Sequence, residues 1–387
     1  MTPSARVQAA IEILDQVIAS ALDDGPPADQ LVNRYFKARR FAGSKDRRAV
    51  RELVFQAIRA SDRPANGRSA ILSVEGAAEL FDGSPHGPAA LGPGEEPAER
   101  RFVPEWIAPL LSPLVTPDEW PALAERAPLD LRVNAARATR ESLLVQFPGV
   151  EPTKLSPWGL RLPPDSRIDD HPAYLAGLVE VQDEGSQLIA LACAPQDSER
   201  LLDLCAGAGG KALALAAAAP GATILASDSN RARLSQLGPR ADRAGARIES
   251  RLLNPPSEVD ELADWANTAD MVLVDAPCSG SGTWRRNPEG RWRLTPERLD
   301  RLVAAQARLL DIAAALVAPG GRLVYAICSL LSREGAAQIA DFHHRHSSWI
   351  SEDVPIEGGR VDGGGRLLTP AHDGTDGFFV ACLRRAC

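Results

Sequence analysis

The chain has 387 residues, 44% hydrophobic and 24% charged, which exceeds one ordinary core and predicts a globular protein of two or three domains. Six cysteines with no CxxC spacing exclude a disulfide framework and a zinc site as first readings, and a reducing cytoplasm fits them best. A net charge of -8 speaks against nucleic acid as a partner unless the cations are clustered.

Taken in chain order, "MTPSARVQAAIEILDQVI" has acids and polar residues where an export signal needs an unbroken apolar run, so no export is expected. Val7, Ile11, Leu14 and Ile18, then Val50, Leu53, Val54, Ala57 and Ile58, recur at helical spacing, which predicts a helical region over 1–75. Within it, the stretch from Arg34 to Arg68 is dense in cations, with only Asp46, Glu52 and Asp62 opposing. Residues 76–125 read as linker and a connecting helix, because "DGSPHGPAALGPGEEPAE" is rich in Pro and Gly and aperiodic. Over 126–180, "LRVNA", "RESLLVQF" and "GLRLP" alternate as strand, helix and strand, a small α+β unit.

From 181 to 387 the pattern becomes regular. "RLLDLC", "TILASD", "MVLVDAP" and "GRLVYAIC" read as strands separated by helical stretches, among them "NRARLSQLGPRADRAG" as one helix, and "GFFVACLRR" reads as a last strand. Short apolar runs alternating with helices predict a Rossmann-like, doubly wound parallel sheet, an α/β fold. The longest apolar stretch, "ALALAAAAPGATILA", is broken by Pro220 and Gly221 and is too short for a membrane helix.

Chemistry concentrates where those strands end. "DLCAGAGGK" places Gly207, Gly209 and Gly210 in a turn that opens a helix, a site suited to an anionic group, although Ala212 stands where a dinucleotide fingerprint has its last glycine. Asp228 ends the next strand, the usual position for an acid that bonds a ribose diol, with a capping role as its alternative. Together these imply an adenosine-containing cofactor. Asp275, Cys278 and Cys328 follow two strands on the same side, so both thiols can act at one substrate, with Arg285 and Arg286 as cations able to favour a thiolate. A thiol beside S-adenosylmethionine suits methylation of a pyrimidine C5, a carbon that becomes nucleophilic only after a thiolate adds to C6. "WRRNPEGRWR" interleaves cations with Trp284 and Trp292, which are read either as core or as base-stacking platforms. "HHRH" (His343, His344, His346) has no acidic or Cys partner at ligand spacing, so no metal is expected.

"DLCAGAGGK", "DAPCSGSGTWRRNP", "YAICSLLSREG" and "DGFFVACL" resemble the RNA 5-methylcytosine methyltransferases, and "LRVNA" and "VQDEGSQL" resemble the extension that precedes their catalytic domain. "SKDRRAVRELVFQAIR" resembles the NusB-like helical domain of the bacterial ribosomal enzymes, here shortened. The resemblance implies an S-adenosylmethionine-dependent enzyme acting on RNA, with small-subunit ribosomal RNA as substrate and transfer RNA as the rival. It makes Cys328 the nucleophile and Cys278 the residue that assists release, with Asp275 at the cytosine ring and Lys211 close by. It implies cofactor binding by Asp203, Cys205, Ala206, Gly207, Ala208, Gly209, Gly210, Lys211, Asp228, Arg233, Asn254, Asp275 and Pro277, and RNA contact by Arg285, Arg286, Asn287 and Pro288. The chain departs from the family pattern at Gly207-Ala208, where Ala-Pro is usual, at Ile327, where Thr is usual, and at Leu253-Asn254, where an acid is usual. A cytoplasmic monomer without metal or membrane is expected. A DNA cytosine methyltransferase places its nucleophile at the position of Cys278, and a silent assembly factor would need neither thiol. An NAD-dependent oxidoreductase is disfavoured by the glycine pattern.

Overall fold

A computed structural model describes residues 1–23, 25–163 and 166–387. They divide into two compact units, Met1–Leu110 with Thr116–Glu125 and Thr283–Pro296, and Leu111–Val115 with Arg126–Gly282 and Glu297–Cys387.

The first unit is helical. Val7, Ala10, Ile11, Leu14 and Val17 bury one face of α1 (Pro3–Leu22), and Val50, Val54, Ala57 and Ile58 bury one face of α3 (Ser44–Ala60). Between them α2 (Ala28–Ala38) inserts Leu31, Val32, Tyr35 and Phe36 into the same core. The short α4 (Gly67–Leu72) begins with a capping box between Asn66 and Ser69. The helix expected within 76–125 is absent, because prolines at 104, 109, 113, 117 and 121 interrupt it. That stretch forms only 3-10 turns at Ala78–Leu80, Ala108–Leu110 and Pro117–Leu123.

The segment Thr283–Pro296, which lies far along the chain, completes this unit by capping its helices. The Arg291 guanidinium donates to the carbonyls of Ile58 (2.6 Å), Arg59 (2.8 Å) and Ser61 (3.0 Å) at the end of α3, and to that of Phe102 at 2.8 Å. Arg293 donates to Gly25 O and Pro26 O, both at 2.9 Å, just beyond α1. Glu289 accepts the Ala28 N–H at 3.1 Å, at the start of α2. Cations thus meet carbonyls at the C-terminus of α3 and just beyond α1, and an acid meets a free N–H at the N-terminus of α2, as the backbone dipoles at the helix ends favour.

The second unit holds two sheets. The smaller one is antiparallel in the order β2-β3-β1-β4, built from β1 (Leu129–Val133), β2 (Glu151–Pro152), β3 (Gly159–Leu162) and β4 (Val179–Val181). Leu131, Val133, Leu160 and Val179 share its core with Leu143 and Phe147.

The larger sheet has nine strands. They are β5 (Arg200–Asp203), β6 (Thr223–Asp228), β7 (Glu249–Leu252), β8 (Ala269–Asp275), β9 (Val317–Ile327), β10 (Trp349–Glu352), β11 (Arg360–Asp362), β12 (Gly365–Leu368) and β13 (Phe378–Arg385). The order β7-β6-β5-β8-β9 is parallel throughout, and β13 joins β9 antiparallel with Phe379 opposite Ile327. The α/β reading holds, with an antiparallel margin of β10 to β13 added to the parallel strands. The single helix expected over 230–245 is two, Arg231–Leu234 and Leu237–Ala244, since Pro239 cannot continue a helix but suits the first turn of a new one. Strand order reverses at β5, so the crevice outside the carboxyl ends of β5 and β8 is where such a sheet binds ligands.

Candidate active site

Four adjacent strands deliver the site. Asp203 ends β5, Asp228 ends β6, Asp275 ends β8, and Cys328 directly follows β9. Every one of these positions lies at a carboxyl edge.

The loop after β5 turns through Gly207 (φ 56°) and Gly209 (φ 83°), conformations that side chains rarely adopt. A Cβ on Gly207 would lie 2.4 Å from the Arg233 guanidinium, and one on Gly209 would lie 2.2 Å from Leu237, so both must be glycine. Cys205, Ala206, Ala208 and Gly210 are half-buried in the same loop. Burial pushes the Cys205 thiol well above its ordinary range, which keeps it protonated. Asp228 accepts the Gly207 N–H at 2.7 Å and the Asn230 N–H at 2.6 Å, so it clamps the loop besides facing the crevice.

Asp203 is fully buried, and neither carboxylate oxygen receives a hydrogen bond of normal geometry. Burial, then the charge of Asp275, push its carboxyl up to about 7, against the pull of Lys211. A buried carboxylate without partners is costly and is explained by a missing donor. Together with the glycine loop it fits the amino acid end of S-adenosylmethionine, whose amino group would supply that donor. Asn254 is exposed and tied to Glu261 through its amide at 2.8 Å, so its contribution to the cofactor would be through a group already engaged.

Beside this pocket, Lys211 Nζ donates to Asp275 Oδ2 at 2.7 Å. Burial works to neutralise Lys211, but Asp275, Asp203 and the Cys328 sulfur outweigh it and hold the ammonium charged. Cys278 Sγ and Cys328 Sγ are 3.4 Å apart, so the two turns converge as the spacing led one to expect. The hydrogen bond with Cys328, followed by burial, pushes the Cys278 thiol well above its ordinary range. The Cys328 sulfur in turn lies within the field of the charged Lys211. Pro277 is exposed, and its carbonyl is held by Gln306 at 3.0 Å.

The basic stretch after β8 differs from expectation. Trp284 is 1% exposed and Arg285 6%, Pro288 is buried, and Arg291 is enclosed at 2%, all within the helical unit. Trp284 is buried, and Trp292 packs on the helical core with its indole N–H bound to Ser61 O at 2.9 Å. Reading Arg285 and Pro288 as RNA contacts is corrected by this burial: Arg291 and Arg293 satisfy backbone carbonyls, and of the four residues expected at RNA only Asn287 and part of Arg286 reach the surface. In the histidine cluster, His343 contacts Ser351 Oγ and His346 contacts Asp311, at 2.9 and 2.8 Å. Among the described residues no helix is long and apolar enough to cross a membrane.

Two residues of the site escaped sequence reasoning. Arg132, in "LRVNA", is buried and donates to Gln182 Oε1 (2.6 Å) and Gly210 O (2.8 Å), so the small sheet steadies the cofactor loop. Burial lowers its guanidinium only to about 10, so it stays charged. Glu334 is wholly buried between the two Cys-Ser turns. Its only signal in sequence was its place six residues beyond Cys328.

A family model described as 16S rRNA methyltransferase RsmB/F matches residues 190–384. The ribosomal RNA small subunit methyltransferase B of Xylella fastidiosa is 35% identical over 294 residues, covering 72% of this chain and 68% of that protein. The crystal structure of PH0851 shares the fold at 21% identity, with a TM-score of 0.75 over 100% of this chain and 99% of that one. NSun6 from Pyrococcus horikoshii, solved with SFG, shares it at 19% identity, with a TM-score of 0.61 over 69% of this chain and 93% of that one. The protein is an S-adenosylmethionine-dependent RNA methyltransferase, and the chain belongs to the 16S rRNA methyltransferase RsmB/F family.

Proposed function

We propose that the enzyme methylates C5 of a cytosine in small-subunit ribosomal RNA through a covalent bond between Cys328 and C6. The observation that carries this reading is the 3.4 Å approach of Cys278 and Cys328 beside the Lys211–Asp275 pair. Cytosine C5 is a weak nucleophile, and a thiolate adding to C6 with its own electron pair pushes the C5–C6 π pair onto C5, which becomes an enamine-like nucleophile. Bound S-adenosylmethionine supplies an electrophilic methyl group. Asp275, positioned by Lys211, acts in its protonated form as the donor that hydrogen-bonds or protonates the ring at N3 and neutralises the charge developing there. After methylation the C5 proton passes to solvent, its electron pair re-forms the C5–C6 double bond, and the C6–S bond breaks to return the Cys328 thiolate. Cys278 assists this release. Asp203, the loop from Cys205 to Gly210, Asp228 and Arg233 hold the cofactor.

The target base must leave its stack to meet a thiol, so a looped-out or flipped cytosine is expected. RNA contact by the helical unit is supported by Arg34, Lys37, Arg40, Lys45 and Arg48, all exposed in and between α2 and α3. The enzyme is read as a cytoplasmic monomer.

The test is methyl transfer from labelled cofactor to small-subunit RNA by wild type, Cys328→Ala and Cys278→Ala, with adducts resolved on denaturing gels. Cys328→Ala is expected to be silent and adduct-free, and Cys278→Ala to accumulate a covalent protein–RNA complex. Transfer by Cys328→Ala, or loss of adduct in Cys278→Ala, would overturn the assignment in favour of the DNA-enzyme arrangement. Labelling of transfer RNA in place of ribosomal RNA would replace the substrate.

A further inference from the structure

We infer that Glu334 is a positioning residue that sets the spacing of the two thiols. The inference rests on the two-thiol reading above and assigns that chemistry a support the cysteines themselves do not provide.

Cys278 and Cys328 lie on separate turns, each followed by a serine, and nothing covalent holds those turns together. Glu334, with no solvent exposure, lies between them and accepts from both. Its Oε1 accepts the Ser279 N–H at 2.8 Å and the Gln306 amide at 2.9 Å. Its Oε2 accepts the hydroxyls of Ser279 and Ser329, each at 2.5 Å. One carboxylate thus binds the residue after each cysteine. Gln306 extends the grip to the residue before Cys278, since the same amide donates to Pro277 O at 3.0 Å.

The remaining lone pairs and protons are also used. Ser281 Oγ lies 3.1 Å from Ser329 Oγ and accepts the Leu330 N–H at 2.9 Å, and Ser329 Oγ accepts the Leu331 N–H at 3.1 Å. The Tyr325 hydroxyl, on β9, fixes the Glu334 backbone carbonyl at 2.7 Å. A carboxylate is the only side chain that can accept four such donors, because an amide accepts at one oxygen and donates at the other position. Charge-assisted bonds of this kind are short and stiff. Their geometric product is the Sγ–Sγ separation of 3.4 Å, on which attack by one sulfur and assistance by the other both depend.

Because Glu334 touches neither thiol, its loss should move the sulfurs without removing chemistry. The full-length chain is treated with phenylarsine oxide, which bridges two thiols only when they are adjacent, and methyl transfer to small-subunit RNA is measured in parallel. Wild type is expected to capture the arsenical in a manner lost in both Cys278→Ala and Cys328→Ala. Glu334→Gln, which keeps the volume, is expected to slow capture and lower kcat, each about tenfold or more, with KM for the cofactor unchanged. Ser279→Ala, which removes one donor and leaves the buried carboxylate three, is expected to fall between them, and it carries the test if Glu334→Gln fails to fold.

Wild-type capture together with wild-type kcat in these folded variants would overturn the inference. Slowed capture in Glu334→Gln, with methyl transfer that survives in Cys328→Ala, would support the spacing role while refuting the two-thiol reaction it serves.

Discussion

Two arginine-rich stretches of similar composition have opposite fates. In α2, α3 and the turn between them, Arg34, Lys37, Arg40, Lys45 and Arg48 stand exposed, whereas in Thr283–Pro296 the guanidinium of Arg291 is enclosed and bonded to backbone oxygens at the end of α3. The difference lies in available acceptors. A helix flank offers a cation no free carbonyl, because each is used four residues on, while a helix C-terminus offers several. A cation-rich motif therefore says little about nucleic acid until one knows what backbone it meets.

The largest effect should come from Arg291→Ala, which strands five carbonyl contacts, two buried and three partly buried, and should destabilise the chain by about 3–5 kcal/mol in urea denaturation. A wild-type midpoint would mean that the caps are redundant and would erase the contrast. Asp203 sharpens it from the other side, as a buried carboxyl to which no side chain donates a hydrogen bond. Its carboxyl lies near 7 when folded and in the ordinary carboxylate range when unfolded, so its contribution is complete below about pH 4 and is lost as pH rises to about 7. Asp203→Asn should therefore stabilise the cofactor-free chain by about 2–4 kcal/mol above pH 7, with the gain shrinking toward pH 4, while weakening cofactor binding. Parallel stability curves for the two proteins across that range would show that Asp203 is already satisfied.

Glu289→Ala, which leaves the buried Ala28 N–H at the start of α2 without its acceptor, should cost about 1–2 kcal/mol by the same denaturation measurement. Smallest in stability is the double change Lys37→Ala, Arg48→Ala, within about 0.5 kcal/mol of wild type. Its effect should instead appear in RNA titrations, where the slope of log affinity against log salt falls by about 1 for each cation that contacts phosphate. An unchanged slope would leave this face as solvated surface.

Much of the catalytic unit was legible because its signals are local. Each parallel strand is a short apolar run that ends near a residue able to do chemistry, so Asp228, Asp275 and Cys328 could be placed at strand edges from alternation, whereas Asp203 entered only through the family resemblance. The glycine turn was legible for the same reason, since positive φ at Gly207 and Gly209 is a demand on residue type. Within the helical region 1–75, α2 has no separate signal of its own, because its paired apolar residues, Leu31-Val32 and Tyr35-Phe36, sit among cations. The margin strands β10 to β12 carry three or four residues each, too few to show a period.

Residue type and spacing along the chain determined the α/β alternation, the cofactor loop and the two thiols as a pair, because each depends on neighbours within a few positions. Tertiary structure alone decided which arginines meet carbonyls, that Asp203 is left without a partner, and that Glu334 ties one Cys-Ser turn to the other. Those outcomes depend on hydrogen-bond partners that can lie 268 residues apart in sequence, as Arg293 and Gly25 do. Hydrogen bonds act over about 3 Å of space whatever the chain distance, and no local pattern encodes which distant groups will arrive there.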